Sequence, residues 1–77
     1  MEKRYQLRKN EYYLSAYYTR EDEKGKIILS SFEVDTEFRK IFNDFEEAHK
    51  IQRLIFIETG LNFDVEVFRK EEYEYED

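Results

Sequence analysis

The 77-residue chain has no cysteine, no proline and no tryptophan, only two glycines and a single histidine. Each shortage excludes something. Without cysteine there is no disulfide and no thiol nucleophile, so stability has to come from packing alone. No glycine-rich loop is present to cradle a phosphate, and Ser15, Ser30 and Ser31 have no G-x-S-x-G setting. Glu46 and His49 have E-x-x-H spacing, but a carboxylate-bridged metal pair needs two such motifs and further glutamates. The single copy reads as a solvent-facing histidine beside a glutamate. No catalytic, cofactor or metal site is therefore expected, and the protein is not expected to be an enzyme. Residues 1–10 contain no apolar leader, and the longest apolar run, Leu54 to Ile57, is far too short to cross a bilayer. A soluble, cytoplasmic protein with no membrane partner is the expectation.

What remains is small, aromatic and acidic. A chain of this length buries only about 60% of the surface its unfolded form exposes, so a deep pocket is not expected. Seven tyrosines and seven phenylalanines supply much of the packing area. The formal charge is -6 and unevenly placed: residues 1–32 carry seven bases and five acids, residues 33–77 six bases and fourteen acids. An acidic surface repels phosphates, which argues against direct nucleic-acid binding, and attracts the basic grooves that hold DNA or RNA.

With so little glycine, breaks must be read from changes of period. Tyr5 and Leu7 share one parity, while Tyr12, Leu14, Ala16 and Tyr18 share the other; the switch at Lys9, Asn10 and Glu11 predicts a tight hairpin. "TREDEKGK" (19–26) reads as a loop and "KIILSSFEV" (26–34) as a third strand. "FRKIF" (38–42) fits either a short edge strand or an extended lead-in. Asp44 followed by Glu47 is a capping-box spacing, and Gly60 is a stop, giving a helix over 44–59. Its apolar face holds Phe45, Ala48, Ile51, Leu54 and Ile55, with Ile57 stranded on the polar side. "LNFDVEVF" alternates as a last strand. The expected fold is α+β: an antiparallel sheet of about four strands in the order β-β-β-α-β, packed on one helix, with a single domain over 1–70 and a closing segment over 71–77.

Two stretches draw a functional reading. In "YYLSAYY" (12–18), period two leaves Tyr13 and Tyr17 together on the outer face of the sheet, a candidate binding platform because tyrosine is enriched at interfaces. Ordinary cross-strand aromatic packing is the competing reading. "EEYEYED" (71–77), if extended, sets Glu72, Glu74 and Glu76 about 6.6 Å apart on one side, with Tyr73 and Tyr75 on the other. Glu71, Glu72, Glu74, Glu76 and Asp77 would supply charge and Tyr73 and Tyr75 anchorage, in a row imitating a phosphate backbone. A solvated terminus is the alternative.

The succession of "YQLRK", "EYYLSAYY", the helix start "FNDFEEAHKIQRL" and the closing "NFDVEVF" resembles small acidic phage- and prophage-encoded proteins of low-GC bacteria, a group that includes anti-CRISPR and anti-restriction inhibitors. The resemblance implies a non-enzymatic inhibitor whose acidic surface competes with nucleic acid for a host protein or ribonucleoprotein having a basic groove. Lys3, Arg4, Arg8 and Lys9 depart from a uniformly acidic mimic. Two alternatives stand beside it: a self-associating accessory protein, with a homodimer joined through exposed aromatics, Ile57 and Phe68; and a regulator of host transcription or replication acting through protein-protein binding.

Overall fold

The computed structural model describes residues 3–69, and side chains from Lys3 to Val67. Its elements run β1 (Lys3–Lys9), β2 (Tyr12–Glu21), β3 (Ile27–Asp35), α1 (Phe45–Thr59) and β4 (Asp64–Arg69). The four strands form one antiparallel sheet in the order β3-β2-β1-β4, with α1 on one face. This is the α+β arrangement expected from the sequence.

Local chemistry explains most boundaries. Asn10 takes the left-handed conformation, φ 58°, that a two-residue hairpin loop requires, and sets Arg8 against Tyr13 and Lys9 against Tyr12. The loop between β2 and β3 is organised by Asp22, whose Oδ1 accepts the backbone N–H groups of Lys24 and Lys26 at 2.8 and 2.9 Å. Asp35 plays the same part at the exit of β3, where its Oδ2 accepts from Glu37 and Phe38 at 2.7 and 2.8 Å. Asp44 caps α1 by accepting from Glu46 N at 3.1 Å, one position earlier than the capping-box spacing predicts, so the helix itself starts at Phe45. Gly60, at φ 80°, closes it with its N–H on the Phe56 carbonyl.

Between β1 and β2 the sheet opens. Only the two pairs nearest the hairpin join these strands, and the segment ending at Phe42 lies in the gap. Phe42 exchanges both backbone hydrogen bonds with Tyr5 at 2.8 Å, and Lys40 N donates to the Leu14 carbonyl at 2.7 Å. The stretch 38–42 is thus neither an edge strand nor a simple lead-in. It is an interior wedge that satisfies backbone groups the splayed hairpin would otherwise leave open.

The core lies between the sheet and α1: Leu7, Leu14, Leu29, Phe42 and Phe63 meet Ala48, Ile51 and Ile55. Leu54 is half-buried against them. Phe45, placed on the apolar face by the helical wheel, stays exposed at the first helical position and meets Tyr5 edge-on, with ring centroids 5.8 Å apart. Ile57 is 62% exposed, as its place on the polar side of the wheel requires.

Candidate interaction site

Seven of the nine residues singled out as partner-binding, Glu71, Glu72, Tyr73, Glu74, Tyr75, Glu76 and Asp77, lie outside the described residues. The fold nevertheless sharpens the charge argument. Residues 3–69 hold twelve Lys or Arg and thirteen Asp or Glu, so the sheet-and-helix unit is close to neutral. Of the six remaining acids, five fall in the last seven residues. The acidity assigned to the carboxyl half is mostly that of its closing segment, which follows a β4 whose last residue, Arg69, pairs with Lys3.

Tyr13 and Tyr17 do not form an outward pair. The pairing of β2 with β3 slips between Leu14 and Ala16, so Ser15 is an extra residue and the face parity reverses after it. Tyr17 consequently turns toward the helix side, where it stacks on Phe42 (centroids 6.1 Å, interplanar 17°) and packs against the core. Burial, and secondarily the Glu47 carboxylate, push its phenol above the ordinary value. Ala16 and Tyr18, expected on the inner row with Leu14, move to the outer face. Tyr18 is 51% exposed.

Tyr13 remains outward and carries the Arg39 guanidinium 4.4 Å above its ring. Arg39 belongs to the wedge and donates from Nη1 to Gln6 Oε1 at 2.7 Å; Gln6 Nε2 donates to Glu66 Oε1 at 2.8 Å; Arg8 Nε donates to Glu66 Oε2 at 2.9 Å. The outer face therefore has a polar chain running from β2 across the wedge and β1 to β4. Gln6 is almost fully buried within it, and its amide is satisfied on both sides. Arg8 and Glu66 are partly exposed, and a surface pair of this kind contributes about 0.2–1 kcal/mol. The chain holds Arg39 over the ring of Tyr13. The only advance signal is the even parity of Gln6 and Arg8, which alternate with the inward Tyr5 and Leu7.

The concavities are shallow and open. One, of about 340 Å3, lies beside β3 and is lined by Tyr12, Phe32, Val34, Leu61 and Phe63 with Lys9 and Asn10. Another, of about 290 Å3, runs along α1 past His49, Arg53, Phe56 and Ile57. His49 is exposed and stacks on Phe45 at 5.7 Å. Among the described residues no group of His, Asp or Glu side chains is arranged to hold a metal ion, and no helix is long and apolar enough to cross a membrane.

No protein-family model, curated protein or solved structure matches the chain.

Proposed function

We propose that this is a non-enzymatic binding protein, of phage type, that inhibits a host nucleic-acid-handling defence complex by engaging its basic groove through the acidic closing segment. One observation carries the reading: a nearly neutral folded unit is followed by a segment in which five of seven residues are acids and the other two tyrosines. Charge concentrated on a short segment competes locally for a phosphate-binding groove, whereas the same charge spread over a sheet would mainly keep the protein dispersed. The folded unit then positions the segment, with Tyr73 and Tyr75 as contact area and the carboxylates as phosphate substitutes. Host cytoplasm is the compartment this reading requires.

The test is affinity capture from nuclease-treated lysate of a low-GC bacterial host that carries CRISPR and restriction systems, comparing the intact chain with one ending at Lys70. A nuclease or guide complex recovered only by the intact chain, and released as salt is raised, is the expected result. Equal recovery by both chains would remove the closing segment from the mechanism.

A further inference from the structure

We propose that β3 is a self-recognition edge, through which two copies of this chain pair antiparallel about a two-fold axis and extend the sheet across both. This does not depend on the acidic closing segment. β3 has β2 on one side and, among the described residues, no strand on the other. Of the devices that guard edge strands, "IILSSFEVD" has no lysine and no proline; it has Glu33, Asp35 and a bulge, and the pairing proposed here makes use of the bulge and of Asp35.

Three features fit a second copy specifically. The first is the direction of the free backbone groups. The Leu14 carbonyl accepts from Lys40, away from β3, so Leu14 and its partner Val34 are not hydrogen-bonded to each other. The Val34 N–H and C=O therefore point to the open side. Phe32, two residues earlier, repeats that orientation. Both side chains face the helix side, and along one strand of L-residues the side-chain direction fixes the direction of the backbone groups. Leu29 is in the core and Ile27 shares its face, so these two also present their backbone groups to the open edge.

The second feature is the bulge. Ser30 is the extra residue where the pairing shifts from Tyr18↔Ser31 to Thr19↔Leu29, so the inward set is odd before it and even after it. Self-pairing of an unbroken strand must oppose residues of equal parity. Here it must oppose odd with even, and a two-fold between Ser30 and Ser31 does so: Ile27 meets Val34 and Leu29 meets Phe32, all on the helix side. Ile27 (39% exposed) and Val34 (42%) would then cover each other at the apolar depression beside β3.

The third is charge. Lys24 and Lys26 precede the strand, while Glu33 and Asp35 stand at its end and Glu37 follows it. In the same register Lys26 faces Asp35 at both ends of the ribbon, an isologous arrangement of opposite charges.

The experiment is sedimentation of the intact protein over a micromolar concentration series, joined to cross-linking. The wild type is expected to approach twice its 9.6 kDa chain mass. Val34→Pro removes an N–H that no internal ladder uses and should give a monomer with an unchanged circular dichroism spectrum. Lys26→Glu, at an exposed loop position, should weaken dimerisation roughly tenfold by opposing like charges twice. The Ile27→Cys/Val34→Cys double variant should oxidise to a covalent dimer that neither single variant forms. Within one strand those positions are about 23 Å apart, and the chain has no other cysteine. A wild type that stays monomeric overturns the proposal, as does a dimer that ignores Lys26→Glu and yields no cross-link.

Discussion

The β1–β4 and β2–β3 ladders are both antiparallel, both contribute to one core, and are built by different rules. From Lys3↔Arg69 to Arg8↔Asp64 the first runs through six pairs without a slip, so residues of one parity face α1 throughout. The second changes register twice, at Ser15 on β2 and at Ser30 on β3, and each change moves the inward set to the other parity. Leu14 and Val34 are inward on one side of Ser15; Tyr17 and Phe32 on the other; Thr19 and Leu29 beyond Ser30. The bulges let the hairpin keep delivering apolar residues to the helix side although its sequence alternation is interrupted. Regular pairing places a strand by its sequence alternation, whereas bulged pairing places it by where the alternation is interrupted.

What joins the two ladders is the wedge, and its removal should have the largest effect. Phe42 is 1% exposed, bridges Tyr5 and stacks on Tyr17, so Phe42→Ala should cost about 3–5 kcal/mol in urea unfolding. A loss below 1 kcal/mol would mean that the ladders hold together without it. Tyr17→Ala comes next: it empties the inward place that the bulge gives this ring beside Phe42, at a cost of roughly 2–3 kcal/mol for the lost apolar contact. Deleting Ser15 instead sets Leu14↔Val34 and Ala16↔Glu33 in direct succession and keeps Tyr17 on the helix side, so it should cost less than Tyr17→Ala. A deletion as costly as Tyr17→Ala would show that the extra residue does more than set which face Tyr17 takes. On the regular side, Gln6→Leu withdraws a partner from both Arg39 and Glu66 and should cost about 1–2 kcal/mol. Glu66 keeps Arg8, which holds the loss to that range.

The same contrast sets how much could be read in advance. Asn10, Asp44 and Gly60 have conformational preferences strong enough to mark their turns in any context, and the alternation of Phe63, Val65 and Val67 passes unchanged into β4. Serine at a bulge has no such signature: Ser15 and Ser30 sit in stretches that read as continuous strands, and a one-residue error there exchanged Tyr17 with Tyr18. The wedge was hidden for another reason. Its pairing with Tyr5 and Leu14 exists only because β2 leaves β1 after two pairs, which nothing within "FRKIF" announces. Arg39 over Tyr13 follows from the wedge and was invisible with it. The nearly balanced charge of residues 3–69, by contrast, needed only the first residue of β1 and the last of β4 to be known.

Acid should separate the ladders with the smallest perturbation of all. Asp22 and Asp35 stand at the loop and at the exit of β3, and each carboxylate is held below its ordinary value of 3.8 by two backbone N–H donors. A carboxyl group whose folded value is depressed stabilises the fold above the unfolded value, and that contribution is lost as the pH falls through the folded one. Both groups serve β2–β3, and neither hydrogen-bonds within β1–β4. On titration downward from about pH 4, amide exchange should therefore quicken in Arg20 to Asp35 before it does in Gln6 or Glu66. Replacing both aspartates by asparagine, which keeps an acceptor but cannot titrate, should abolish the difference in onset. Simultaneous loss of protection in both ladders of the unaltered protein would place the acid-sensitive groups elsewhere. It would also show that the bulged ladder, despite its two slips, opens only with the whole fold.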